Sequence, residues 1–221
     1  MNNKEGLQAS LGMQAMTLKD KGDLDGAMAL LKQQEQICRD SHDEQGLAHS
    51  LGKQAIVLKE QGKLKEAISL LMEQERISRQ LDDKDGLQRA LGDRANIMQT
   101  IGELKLAMEL HKEEERICRD LGDLNALQAC LGNMAGVFIA LDNLEEAMRL
   151  LMEKERICRE LGNTRGLSSS LYNQALVLVK RGDPMEALTR VQDAYSLAKA
   201  CGLTALERQS KSLLDFLHSK R

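Results

Sequence analysis

The sequence repeats itself every 40 residues, and a period of this length determines what the chain can fold into. Because a single repeat of this size buries its apolar residues only against neighbouring copies, the repeats predict a linear stack. We expect five repeats over residues 1–202, at about 3–42, 43–82, 83–122, 123–162 and 163–202, and a capping helix over 203–221. The aligned columns are Gly6, Gly46, Gly86, Ala126 and Gly166; Leu11, Leu51, Leu91, Leu131 and Leu171; Ala15, Ala55, Ala95, Ala135 and Ala175; and Ala27, Ala67, Ala107, Ala147 and Ala187.

The spacing of apolar residues within each repeat predicts two helices. In the second repeat Leu47, Leu51, Ala55 and Leu58 share one helical face. The second helix of this repeat, from about residue 64 to 81, has two apolar stripes and must contact two neighbours. The chain has 38 Leu but only 19 Val, Ile and Thr together, and one Pro, which favours helices over sheets. The sequence therefore predicts an all-α fold.

Residues that start and end helices recur in the same register. Glycine suits the left-handed conformation that commonly ends a helix, and a short polar side chain before a helix accepts a hydrogen bond from its first turn. Asp183, Pro184 and Glu186 form the strongest start signal, with an N-cap acceptor followed by proline. The predicted helix ends are Gly22, Gly62, Gly102 and Gly182, with Asp142 in the fourth repeat, and the other predicted N-caps are Asp43, Asp83, Asp123 and Asn163.

The repeats resemble those of the tetratricopeptide repeat family. Small residues at Ala15, Ala27 and Ala194 and the turn at Gly22-Asp23 match the family pattern, with Leu11 where the family often has Trp. The 40-residue period is similar to that of kinesin light chains, rapsyn and Pins-type adaptors. The resemblance implies a right-handed α-solenoid of stacked antiparallel helical pairs that acts as a peptide-binding adaptor.

Charge and composition exclude several classes of function. The 31 Lys and Arg against 34 Asp and Glu give a net charge of −3, which argues against nucleic acid as the main partner. No apolar run of transmembrane length or signal peptide is present, so we expect no membrane partner and a cytoplasmic location. No phosphate loop, nucleophile elbow or metal-ligand spacing occurs. We therefore expect no enzyme activity, catalytic residue, metal or cofactor.

Two polar columns of the second helices have structural interpretations. Cys38, Cys118 and Cys158 are predicted to be small buried side chains, as are Cys130 and Cys201. Glu35 and Arg39, with the corresponding pairs in three later repeats, are predicted to be solvated i,i+4 ion pairs that support the helix.

The columns that vary between repeats are the candidates for ligand binding. The family resemblance implies that the first helices line a concave groove. Its predicted surface is basic in the first three repeats and apolar in the last two, and three asparagines could pair with a peptide backbone through donor and acceptor groups. Asp93 makes recognition of a terminal carboxylate by a lysine and asparagine clamp doubtful. The candidate groove residues are Lys19, His49, Lys53, Lys59, Arg89, Asp93, Asn96, Asn133, Gly136, Ile139, Tyr172, Asn173, Leu176 and Val179.

The sequence thus predicts a non-enzymatic module that binds a protein or peptide segment, acidic toward the first repeats and apolar toward the last. Two alternatives stay open: a self-associating scaffold array, and a regulatory or sensor arm of a larger protein. The last helix has a polar outer face and is predicted to act as a cap, whereas the first helix lacks one. Self-association through the first helix, a position within a longer chain and an engineered origin of the repeats are all compatible with this pattern.

Overall fold

The computed structural model describes residues 2–219, which form eleven α-helices and no β-strand. Turns of three residues or fewer join consecutive helices, so the helices stack as antiparallel pairs, and the predicted all-α repeat fold is confirmed. The helices are α1 (Asn2–Asp20), α2 (Leu24–Asp40), α3 (Glu44–Glu60), α4 (Leu64–Gln80), α5 (Lys84–Thr100), α6 (Leu104–Leu121), α7 (Leu124–Ala140), α8 (Leu144–Glu160), α9 (Thr164–Arg181), α10 (Pro184–Ala200) and α11 (Thr204–Ser219).

The chain forms two compact units, Met1–Ile117 (unit 1) and Cys118–Arg221 (unit 2), with the boundary inside α6. In unit 1, α2 packs between α1 and α3, and α4 packs between α3 and α5. In unit 2, α8 packs between α7 and α9, and α10 packs between α9 and α11. These second helices thus have the two neighbours that their two apolar stripes predict.

The two alanine columns lie in the core of both units. Every one of these ten alanines is at most 1% exposed. Ala15 and Ala27 share one buried cluster with Leu31 and Val57, so the two helices of the first pair meet at small side chains and the next first helix closes over them. Ala175 and Ala187 occupy the same places in unit 2. Small residues on both partners let antiparallel helices approach closely.

Most of the predicted caps form, with one exception. Asp43, Asp83, Asp123 and Asn163 accept hydrogen bonds from the backbone three residues later. Asp183 precedes Pro184 as expected, but its side chain makes no capping hydrogen bond, so the strongest start signal in the sequence was wrong in this detail. The predicted glycines adopt a left-handed conformation, and Asp142 adopts it as well, with φ of 58°.

A second set of glycines lies in the middle of the first helices and has a packing role that the repeat pattern did not reveal. Each faces a long polar side chain of the second helix in the same repeat. An added Cβ would overlap that side chain in the second, third and fourth repeats, whereas at Gly12 it would lie 3.1 Å from Gln34 and overlap the ammonium of Lys53 on α3. The polar residues are buried, with at most 7% exposure. The facing pairs are Gly12 with Gln34, Gly52 with Gln74, Gly92 with Glu114, and Gly132 with Lys154.

The glutamates of the second helices also differ from expectation. Glu35 pairs with Arg39 at 2.7 Å but also accepts a hydrogen bond from Gln54 of α3 at 2.8 Å. Burial would raise the pKa of Glu35, but the hydrogen bonds from Gln54 and Arg39 outweigh it and lower the pKa. Glu75 and Glu155 likewise bond to α5 and α9, so these three glutamates join successive repeats as well as supporting their own helices.

None of the described helices combines the length and apolar character needed to cross a membrane.

The glycine and glutamine pair of the second repeat gives the first prediction. In Gly52→Ala the new Cβ would lie 2.6 Å from Oε1 of Gln74, whose amide donates to the Gly86 carbonyl at 3.4 Å. We expect a loss of about 1 kcal/mol in unfolding free energy, because disrupting a buried hydrogen bond outweighs the helix-forming advantage of alanine. In a Gln74→Ala background the same change should instead stabilise by about 1 kcal/mol. Chemical denaturation measures both, and equal destabilisation in the two backgrounds would contradict the packing role.

Candidate functional site

The odd-numbered helices of each unit share one side, called here the odd-helix face. In unit 1, α1 contacts α3 and α3 contacts α5. On the opposite side, a cavity of about 580 Å³ separates α2 from α4, with Met28 and Lys32 on one wall and Glu66 and Leu70 on the other. Because the first helices touch where the second helices diverge, the odd-helix face is the inner side of unit 1.

All seven sequence-predicted residues of unit 1 lie on this face with partly or fully exposed side chains. None belongs to the buried core, so each can meet a ligand. They are Lys19 on α1; His49, Lys53 and Lys59 on α3; and Arg89, Asp93 and Asn96 on α5.

Two of the predicted basic groups already have partners. The Lys19 ammonium lies 2.9 Å from Asp20 and 3.2 Å from Glu60, and the hydrogen bonds that it donates to these carboxylates raise its pKa. A guanidinium nitrogen of Arg89 lies 3.2 Å from Nε2 of His49. Since a guanidinium can only donate, Nε2 accepts and the imidazole is neutral. Burial, and then the charge of Arg89, lower the pKa of His49.

The cations of unit 1 that can meet an acidic ligand are therefore Lys53, Lys59 and Arg89. Lys53 is half-buried beside Gly12, and no carboxylate of the described side chains lies within ion-pair distance of it. Burial lowers the pKa of Lys53. Burial raises the pKa of Asp93, opposed by the positive charges of Lys59 and Arg89. Asp93 thus lies among basic side chains, as its position in the sequence predicted.

The seven predicted residues of unit 2 lie on α7 and α9 and are again partly exposed. Tyr172 and Val179 also pack against the core formed by α9, α10 and α11, so part of their apolar surface is used internally. The full set is Asn133, Gly136 and Ile139 on α7, and Tyr172, Asn173, Leu176 and Val179 on α9.

The asparagine side chains of the odd-helix faces have free hydrogen-bonding capacity. The side-chain amides of Asn96 in unit 1 and of Asn133 and Asn173 in unit 2 make no hydrogen bond to any described residue, and each of these residues is partly exposed. Each amide offers donors and an acceptor. This is the arrangement needed to pair with the backbone of a bound peptide.

Sequence reasoning missed Lys154, which reaches the odd-helix face of unit 2 from behind. Its side chain lies against Gly132 of α7, is 7% exposed, and donates to the hydroxyl of Ser169 on α9 at 3.0 Å. No carboxylate of the described residues pairs with it, and burial lowers its pKa. The signal was a polar residue in the column facing the mid-helix glycines, a column that surface patterns alone do not identify.

The cysteines of the described chain form no disulfide. Cys38, Cys118, Cys130 and Cys158 are buried as predicted, whereas Cys201 is exposed, which corrects the expectation for that residue. Burial raises the pKa of Cys38 to about 11, so its thiol stays protonated near neutral pH.

No protein-family model matches the sequence, and no curated protein matches it either. Solved structures show the fold. A Podosopora anserina kinesin light chain-like protein with nearly identical TPR-like repeats has 20% identity and a TM-score of 0.72, covering 90% of this chain and 99% of that one.

Two Rap proteins are also similar in structure. Apo RapI has 15% identity and a TM-score of 0.79, over 96% of this chain and 84% of that one. The Rap conjugation gene regulator of plasmid pLS20, in complex with the Phr* peptide, has 14% identity and a TM-score of 0.78, over 96% of this chain and 58% of that one. At these identities the likeness establishes a shared repeat fold.

The buried ammonium of Lys154 gives the second prediction. The pKa of Lys154 is lower in the folded chain than in the unfolded chain, where it is about 10.4. Between these two pKa values the unfolded chain binds one more proton than the folded chain. The free energy of unfolding therefore rises with pH across this interval. Lys154→Met removes the cost of burying the charge and should be more stable by roughly 1 to 2 kcal/mol at pH 7, an advantage that narrows toward pH 10. Chemical denaturation at several pH values measures the difference.

The matched control is Lys211→Met, which removes an exposed lysine from α11 of the same unit. It should show no comparable gain at pH 7. A Lys154→Met advantage that is constant between pH 7 and pH 10 would contradict the assignment of Lys154 as a buried cation.

Proposed function

We propose that this chain, which has the fold of tetratricopeptide-like repeat proteins, is a non-enzymatic interaction module whose odd-helix faces bind peptide segments of a partner protein. The observation that carries the proposal is that each unit has partly exposed asparagine amides without internal hydrogen bonds, Asn96 in unit 1 and Asn133 and Asn173 in unit 2. A polar side chain held on a rigid helix, with no partner of its own, is preorganised for a ligand.

A peptide backbone suits these amides because each of its residues presents a donor and an acceptor. Asn133 on α7 and Asn173 on α9 occupy the same place in successive repeats. In this proposal they hold the peptide backbone in unit 2, and the side chains between them decide which peptide binds.

The neighbouring side chains define the peptide's chemistry. In unit 1, Lys53, Lys59 and Arg89 favour carboxylates, and the half-buried Lys53 contributes most because its charge is less screened than that of an exposed lysine. In unit 2, Ile139 and Leu176 offer apolar surface on the odd-helix face and favour an aliphatic or aromatic side chain.

The similar structures support the proposal without naming a partner for this chain. The Rap regulator of plasmid pLS20 was solved in complex with the Phr* peptide. The proposal includes a cytoplasmic location and no requirement for a cofactor, in keeping with the sequence analysis.

The test is selection of peptides from a random phage-displayed library on the purified chain, followed by affinity measurements with the enriched peptides. We expect Asn133→Ala with Asn173→Ala to weaken binding of unit 2 peptides about thirtyfold, since two lost hydrogen bonds at about 1 kcal/mol each remove about 2 kcal/mol. Arg89→Glu should abolish selection of acidic peptides by unit 1, and Leu176→Asp should abolish selection of apolar peptides by unit 2.

Matched controls make the same chemical changes on the second helices. Lys65→Glu on α4 and Met152→Asp on α8 alter exposed residues outside the odd-helix faces and should leave the enriched peptides and their affinities unchanged. Enrichment that depends on the control positions, or no enrichment by the unaltered chain, would overturn the proposed function.

A further inference from the structure

A continuous furrow runs between α9 and α11 in unit 2, and it is called here the C-terminal furrow. Two adjoining cavities form it, of about 400 Å³ and 520 Å³, and both are lined by Gln209. The smaller contains Arg165 and Ser169 of α9. The larger contains Tyr172 of α9 and Phe216 of α11. The furrow is part of the odd-helix face of unit 2, since it lies between α9 and α11, which are in direct contact.

One part of the furrow is positively charged without a counter-charge. Arg165 and Arg208 line it, and no carboxylate of the described residues lies within ion-pair distance of either. Lys154 lies behind Ser169 and donates to its hydroxyl at 3.0 Å. No Asp or Glu lines either cavity. Three cations without carboxylate partners around one furrow favour an anionic ligand.

The Ser169 hydroxyl connects the buried cation to the furrow. Its oxygen accepts from Lys154, and it donates to the Gly166 carbonyl at 2.9 Å. A hydroxyl that rotates toward the furrow can donate to a bound carboxylate while its oxygen still accepts from the ammonium. The positive charge of Lys154 strengthens that donor, so Lys154 acts as a positioning residue.

The larger cavity is apolar at its far part. The sequence has only two Tyr, two Phe and no Trp, and Tyr172 and Phe216 line this one cavity together with Leu213. Phe216 is 47% exposed. An exposed aromatic ring beside two other apolar side chains offers a binding surface for a bulky apolar group.

The fifth repeat departs from the pattern of the other four at this furrow. Where the first four repeats have a mid-helix glycine facing a long polar residue, the fifth has Tyr172 and Ala194. The small Ala194 is fully buried, and Tyr172 both packs on the core and lines the furrow. In this repeat the large residue, Tyr172, is on the first helix and the small one, Ala194, is on the second helix. This reversal preserves the packing of the two helices and places an aromatic ring at the furrow.

We propose that the C-terminal furrow binds an acidic segment of a partner protein, with a carboxylate at Arg165 and Ser169 and a bulky apolar side chain against Tyr172, Leu213 and Phe216. This inference rests on the proposed function, because it assigns the ligand chemistry of one part of the peptide-binding surface. It adds a negative charge to the peptide expected at unit 2, which the sequence predicted to be apolar.

The test uses the entire 221-residue chain with the substitution Arg89→Glu, so that unit 1 no longer selects acidic peptides. Random peptides are selected on this chain, and the main enriched peptide is compared with an analogue in which Asn and Gln replace its Asp and Glu. Fluorescence polarisation should show that the acidic peptide binds about tenfold more tightly, as expected for a charge-assisted hydrogen bond. In a further Arg165→Gln/Arg208→Gln variant this preference should vanish, and Lys154→Met should reduce it.

Two variants provide matched controls. Lys211→Gln removes a positive charge from α11 outside the residues that line the furrow and should keep the tenfold preference. Phe216→Ser should weaken binding of both peptides equally, because it removes apolar contact and leaves the cations in place.

The outcomes separate the two proposals. Enriched peptides without acidic residues, or a carboxylate preference that survives in Arg165→Gln/Arg208→Gln, would overturn the furrow assignment and leave the proposed function standing. Failure of any peptide to bind both the unaltered chain and the Arg89→Glu chain would overturn the proposed function and the inference that rests on it.

Discussion

The two helices of each repeat approach each other closely at small side chains, and this contact sets the positions of all the other elements. Ala15 meets Ala27, and Ala175 meets Ala187, with no exposed surface left on any of the four. Within each unit the second helix then packs against the next first helix, so that a repeat is completed by its neighbour. One consequence is that first helices within a unit touch one another and present a shared face to solvent. This face is rigid because the helices that form it are also packed in the core.

The mid-helix glycines connect that packing to function. Without a side chain at Gly132, the second helix can place Lys154 against α7 and beside Ser169 of α9. The same gap holds Gln34, Gln74 and Glu114 in the earlier repeats. Neutral, negative and positive groups therefore occupy equivalent buried positions behind the odd-helix faces. Substitution in one column of the second helices can change the charge presented to a ligand while leaving the alanine contacts unaltered.

The sequence predicted the helices and most of the caps well, because these depend on local chemistry repeated five times. Asp183 shows the limit, since proline preceded by aspartate predicted a capping hydrogen bond that does not form. Candidate residues for the odd-helix faces could be selected from the sequence because variable columns stand out against constant ones. The pairing of His49 with Arg89 and of Lys19 with Glu60 was not, because it joins side chains about 40 residues apart. Lys154 was missed because its position depends on Gly132, which belongs to another helix.

The proposed function requires peptides to bind to the odd-helix faces. NMR of the chain labelled at isoleucine methyl groups tests it directly, since Ile56 and Ile139 lie partly exposed on α3 and α7, whereas Ile37 and Ile68 lie partly exposed on α2 and α4. Titration with a selected peptide should shift the methyl resonance of Ile56 or Ile139, according to the unit that binds it, and leave those of Ile37 and Ile68 in place. Shifts confined to Ile37 and Ile68 would put the ligand on the second helices and contradict the account.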